Sequence, residues 1–128
     1  MADPAGLREY IVGDGMRVQL ADATSHYFGG YYHVRIEVSA DVPVSAANAG
    51  DDAACAEAMR RFGASVRFER TLERMAVPEG GIEEARSQLL AAFDATMLPY
   101  LSRDDFPRRF IASRLARKPG RAAAGYLK

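Results

Sequence analysis

The sequence predicts an α+β fold: a small, mainly antiparallel sheet of three or four strands with helices packed on one face. Three features predict it. Residues 32–44 alternate, with Tyr32, Val34, Ile36, Val38, Ala40, Val42 and Val44 apolar or aromatic. The residues between them, His33, Arg35, Glu37, Ser39 and Asp41, are polar. Such a period of two describes a strand with one face packed and one face wet, the habit of antiparallel sheets. The third feature is the stripe Ile82, Ala85, Leu89, Phe93 and Met97 at helical spacing, with Glu83 and Glu84 suited to a helix N-terminus.

Taken in order, residues 1–9 read as a weakly attached lead, and the ordered core is expected from about residue 10 to 117. Asp14-Gly15 signals a turn before the alternating run Met16-Arg17-Val18-Gln19-Leu20. The next segment, His26-Tyr27-Phe28-Gly29-Gly30-Tyr31-Tyr32-His33, is a near-palindrome around a Gly-Gly pair. Two glycines between aromatic runs are a two-residue hairpin signal, because the favoured turns need positive φ. A hairpin there sets Phe28 opposite Tyr31, Tyr27 opposite Tyr32 and His26 opposite His33. Continued strictly, this register would place Leu20 and Val18 on the polar face of 32–44. One extra residue restores Leu20 to Val38 and Val18 to Ala40, so a β-bulge or strand break is expected near Asp22-Ala23-Thr24.

Asp51 or Asp52 can cap a helix whose Cys55, Met59 and Phe62 share a face and whose stop is Gly63. Residues 66–77 begin with apolar residues at even positions (Val66, Phe68, Leu72) and end with them at odd ones (Met75, Val77). A strand kinked near 73–74 follows, with Arg70 either a functional anchor or an edge residue reaching water. After the Pro78-Glu79-Gly80-Gly81 loop, the helix from Ile82 reaches Leu98, where Pro99 ends or kinks it. Ser102–Asp105 begin a last helix that carries Phe106 and Phe110 to about Arg117. Residues 118–128 read as a mobile tail. The order is β-β-α-β-α-α. A rival topology, with 51–62 a crossover helix and 64–77 parallel to 32–44, fits poorly because parallel sheets are usually covered on both faces.

At 128 residues the chain is expected to form one domain, residues 1–128. A lone Cys55 allows no internal disulfide, and nothing near Met1 resembles a signal peptide, so a cytoplasmic location is expected. Seventeen basic and seventeen acidic residues balance, but unevenly. Residues 1–102 hold nine Arg and fifteen Asp or Glu, whereas 103–128 hold eight basic residues and two Asp. Arg108, Arg109, Arg114, Arg117, Lys118 and Arg121 are therefore candidate phosphate contacts in a nucleic-acid or ribosome-associated reading, though no nucleic-acid motif accompanies them.

Phosphate-loop, dinucleotide and nucleophile-elbow patterns are absent from the sequence. An enzyme or metal protein would have to centre on His26 and His33, helped by Tyr31 and Glu69. Its third metal ligand would have to come from Glu69, Glu73 or a partner chain. No cofactor, metal or membrane partner is expected. The leading expectation is a non-catalytic association module, a homo-oligomer or accessory subunit. Its contacts are His26, Phe28, Tyr31, His33 and Arg35 on the hairpin and the wet sheet face.

Overall fold

The computed structural model describes residues 6–13 and 15–117. It is α+β, with an antiparallel five-stranded sheet. The strands are β1 (Gly6–Val12), β2 (Met16–Asp22), β3 (Ser25–Phe28), β4 (Tyr31–Pro43) and β5 (Ser65–Pro78). Helices are α1 (Ala46–Ala49), α2 (Asp52–Phe62), α3 (Ile82–Ala92), α4 (Leu98–Leu101) and α5 (Phe106–Ala116). The chain divides into two compact units. The first takes residues up to Asp41 and Arg67–Arg103; the second takes Val42–Val66 and the chain from Asp104.

In the first unit β2 lies between β1 and β4, and β4 also pairs with β3 and β5. The alternation of β4 is realised as read. Val34, Ile36, Val38 and Ala40 are buried, and Glu37 and Asp41 are exposed. β2 meets β4 with Leu20 opposite Val38 and Val18 opposite Ala40, so both strands turn the same apolar phase inward. Helix α3 covers that face: Val34, Val77 and Ala85 form a core cluster against which Ile82 and Leu89 pack. Each such aliphatic side chain taken fully out of water contributes about 1.5–3 kcal/mol.

β1 is an element the sequence reading did not anticipate. Residues 6–9, read as part of a loose lead, pair with β2 instead, from Gly6 opposite Ala21 to Val12 opposite Met16. Its polar composition, Gly-Leu-Arg-Glu-Tyr, hid the strand. Arg8 and Tyr10 occupy positions where the alternation calls for apolar groups, and they are held by partners far along the chain. Residues 1–5 and the tail 118–128, including Lys118 and Arg121, lie outside the described residues.

β5 changes phase as expected, since Val66 and Phe68 are buried at its start and Val77 at its end. The change falls at Ala76, whose φ of 55° is left-handed, rather than at 73–74, and it leaves Met75 exposed. Arg70 lies over the Phe68 ring, 4.5 Å from its centre, and reaches solvent from there. This is the edge residue of the two readings. The antiparallel sheet also removes the parallel crossover. Beyond α3 the helix does not stop at Pro99. A π-helical turn, Phe93–Met97, leads into α4. In a regular helix the Pro99 ring would strike the carbonyl of Ala95, and a wider turn relieves that clash.

In the second unit Ser45 and Asp51 cap α1 and α2. The Asp51 carboxylate accepts from the Ala54 N–H at 2.7 Å. Gly63, at φ 88°, ends α2 as expected. The inward stripe of α2 differs from the reading: Ala58 is buried, Cys55 and Phe62 are half-buried, and Met59 faces out. Arg61 donates to the Leu115 carbonyl at 3.0 Å, satisfying an orphan acceptor at the end of α5. Phe106 stacks on Phe110 along α5, with ring centres 5.7 Å apart.

Candidate interaction surface

The hairpin between β3 and β4 carries the residues singled out in the sequence. Gly29 adopts φ 56° while Gly30 does not, the pattern of a type II′ turn with glycine first. Phe28 faces Tyr31 across it, as the palindrome implies. One step further the symmetry breaks: the register shifts at Tyr27, and His26 pairs with Tyr32 while Ser25 pairs with His33. The extra residue that the apolar phase demands therefore sits inside the palindrome. At Ala23–Thr24 the strand is interrupted, but its register carries through, with the Ala23 N–H donating to the Arg35 carbonyl at 2.9 Å. Asp22 holds this break, accepting from the Thr24 hydroxyl at 2.6 Å and from Arg86 of α3 at 3.3 Å.

That placement corrects the pairing of the histidines. Successive residues of a strand point to opposite faces, so His26, beside Tyr32, lies on the other face from His33. The His26 ring meets Tyr32 edge-on at 5.3 Å, and its Nε2 lies against the Gly29 carbonyl. His33 Nε2 sits 2.6 Å from a Glu73 carboxylate oxygen of β5. The two imidazoles share neither a face nor a partner. Among the described residues no group of three or more His, Cys, Asp or Glu is placed to hold a metal ion.

The aromatics turn outward. Phe28 is 74% exposed, Tyr27 53% and Tyr31 48%. Tyr27, expected opposite Tyr32, instead occupies the bulge and is exposed to solvent. Only Tyr32 keeps a half-buried place. From Ala23 to Val34 the chain carries no Asp, Glu, Lys or Arg, although these make up 27% of the protein. The tip is thus an uncharged aromatic surface on a backbone-paired ribbon.

Beside it the wet face of the sheet is built from ion pairs, two across strands and one within β4. Arg17 meets Glu9 at 2.6 Å, Arg35 meets Glu37 at 3.2 Å, and Arg67 meets Asp41 at 3.3 Å. Arg35, a candidate contact, is thereby held within its own strand. Glu69 lies by Arg67 at 3.5 Å, away from the histidines it was expected to help.

The arginines of α5 are put to other uses. Arg109 pairs with Asp105 at 3.4 Å, and Arg114 lies 5.7 Å from the ring centres of both Phe62 and Phe110. Arg108 and Arg117 are exposed at opposite ends of the helix, and the Arg117 carbonyl accepts from Arg61. They form no continuous basic stripe.

One polar cluster escaped the sequence reading. Tyr10 donates to Asp94 Oδ1 at 2.6 Å, and Arg8 donates to the Tyr10 oxygen at 2.8 Å and to Asp94 Oδ2 at 2.9 Å. The Tyr10 hydroxyl, seconded by Arg8, holds the Asp94 carboxyl below its ordinary range. Partial burial and the neighbouring carboxylate push the Tyr10 phenol up, and the same two partners raise Arg8. Arg8 and Tyr10 stand two apart on one strand, a spacing that signals a shared face. Asp94, the residue after Phe93 of the helical stripe, gave no sign of them. No protein-family model, curated protein or solved structure matches this chain.

Proposed function

We propose that the protein is a non-catalytic association module that self-associates through the aromatic hairpin tip. The observation that carries this reading is the outward set of Tyr27, Phe28 and Tyr31 on an uncharged twelve-residue stretch, 23–34. Rigid aromatic side chains offer large contact area for little lost entropy, and Tyr, Gly and Ser together are the composition of adaptable binding loops. A two-fold contact brings identical surfaces together, so a tip without charges meets its copy without like-charge repulsion.

The long strand β5 serves less well. Antiparallel pairing with its own copy about a two-fold normal to the sheet matches residues of equal parity. Centred on Thr71, it sets Glu69 against Glu73; centred on Leu72, it sets Arg70 against Arg74. Like charges directly opposed destabilise such pairs, which is how natural edges resist pairing. The tip has no such obstacle.

Light scattering over a concentration series tests the reading. The wild-type chain is expected to show a concentration-dependent dimer, and the double variant Phe28→Ala/Tyr31→Ala to lose affinity at least tenfold, about 1.4 kcal/mol. A strict monomer at all concentrations, or a dimer that the double variant leaves intact, overturns it.

A further inference from the structure

Next to the hairpin tip, the wet face of the sheet holds a third exposed apolar side chain. Phe28 and Tyr31 are directly opposed and share a face, and Tyr31 has the odd parity of the wet residues of β4. On β5, Arg67 meets Asp41 and Glu73 meets His33, so the odd residues of both strands look the same way. Met75 continues that phase, one residue before the left-handed Ala76 turns Val77 into the core. The end of β5 then reaches the tip itself, where the Glu79 N–H donates to the Gly30 carbonyl. Met75, 49% exposed, therefore stands beside His33 and Tyr31 on the wet side of the sheet.

Given self-association through the tip, on which this rests, we infer that two copies meet by this wet face and enclose the His33–Glu73 pair, which links their contact to proton uptake. Phe28, Tyr31 and Met75 are the apolar contacts. Each comes from a different one of three adjacent strands, so the patch is continuous rather than scattered. The unbranched thioether of a methionine adapts readily to a facing ring. Charge favours a second copy as the occupant, because a two-fold contact sets like against like and suits a surface without net charge. Arg35, on one border, is tied to Glu37 at 3.2 Å, and Glu73, on the other, is cancelled whenever His33 is an imidazolium.

Neighbours surround His33 on three sides. Along β4 they are Tyr31 and Arg35, β3 presents the uncharged Ser25, and β5 presents Glu73, flanked on its face by Thr71 and Met75. Helix α3 packs on the opposite face. A neutral imidazole can still donate its Nε2–H to Glu73, 2.6 Å away, but the carboxylate then keeps its charge. Covering that carboxylate with a partner strips its water, a cost that an adjacent imidazolium offsets. Each copy brings one such pair. The dimer therefore holds protons that the separate chains release, and the contact tightens as pH falls through the histidine range, near about 6.5. His26 lies on the other face, against the Gly29 carbonyl, and a proton there would add charge to the tip and weaken the contact. The sign of the pH slope thus separates the two histidines.

Sedimentation equilibrium of the full chain across the histidine range tests the assignment. The dimer Kd is expected to fall at least tenfold from about pH 8 to about pH 6, a window spanning the ordinary histidine value. His33→Gln keeps a donor but takes up no proton, and should abolish the slope. Glu73→Gln should abolish it too, whereas His26→Gln should leave it. Met75→Lys should weaken the dimer at least tenfold at every pH, with its unfolding midpoint near wild type because the side chain is exposed. A dimer whose affinity is flat over this window, tightens as pH rises, keeps its slope in His33→Gln or tolerates Met75→Lys overturns the assignment and leaves association through the tip standing. A strict monomer at every pH overturns both.

Discussion

The two hairpins of the first unit share a local design and put it to opposite uses. β1–β2 turns through Gly13 and Gly15, at φ 56° and 108°, and β3–β4 turns through Gly29, at φ 56°. Both are antiparallel ribbons shifted by one residue, at Leu7 in one and at Tyr27 in the other. The first directs its aromatic residue inward: Tyr10 packs 5.4 Å from Phe93 and donates to Asp94. The second turns three aromatics to solvent. The difference lies in what each ribbon meets. β1 runs alongside the π-helical turn, which supplies a ring and a carboxylate, whereas the turn of β3–β4 is met by backbone, the Glu79 N–H donating to the Gly30 carbonyl at 3.2 Å. A tyrosine is thus a tether in one hairpin and a contact in the other, and the surroundings decide which.

The comparison breaks most visibly at Phe93. It is buried, it stands at the start of the π-helical turn, and it receives Tyr10. Phe93→Ala should lower the unfolding free energy by about 3–5 kcal/mol, measured by denaturant titration. The loss combines an emptied core site with a tether left without its platform. A change below 1 kcal/mol would mean that β1 is held by backbone pairing with β2 alone.

The polar half of that tether sharpens the contrast through pH. Asp94 has its folded pKa below its ordinary value, chiefly because Tyr10 donates to it. Such a group adds stability above the unfolded-state pKa, near 4 for an aspartate, and that stability is lost as pH falls through the lower folded value. Tyr10→Phe removes the main cause of the depression. Its folded pKa should then rise toward the unfolded value, and the contribution of Asp94 to the acid limb of the stability curve should shrink. Thermal melts of both proteins between pH 2 and 6, a window spanning about 2 units either side of that ordinary value, read the difference. Parallel curves would show that the Tyr10–Asp94 bond does not persist in solution.

How much of this was legible follows from where the deciding partners lie. The alternation of 32–44 gave the inward face of β4, and the parity of Leu20 and Val18 gave the register of β2 against it, because apolar phase is a local property. Parity also required one extra residue between the strands. It did not say where, since any position from Asp22 to Phe28 restores the phase equally. The location decided the candidate site. At 22–24 the extra residue would have left His26 beside His33, and at Tyr27 it sends them to opposite faces. The Arg8–Tyr10–Asp94 cluster was illegible for another reason: Asp94 lies more than eighty positions from the other two, and each alone reads as a surface residue. β1 was lost with it, because its inward polar groups make sense only once Asp94 is in place.

The smallest expected effect tests the other hairpin most sharply. Phe28 is the most exposed large apolar side chain among the described residues, and no core contact accompanies it. Phe28→Ala should leave the stability of the isolated chain within about 0.5 kcal/mol of wild type, the range of surface substitutions that disturb no cap, core or buried partner. Measured at a concentration below dimer formation, this separates folding from association. A clear loss would place the Phe28 ring in the packing of the tip, as Tyr10 is packed in β1–β2, and would erase the distinction between tether and contact. An unchanged midpoint, together with weakened self-association at higher concentration, assigns the ring to a partner. The same side chain cannot satisfy both outcomes, because a ring buried in its own chain has no face left to bury in another.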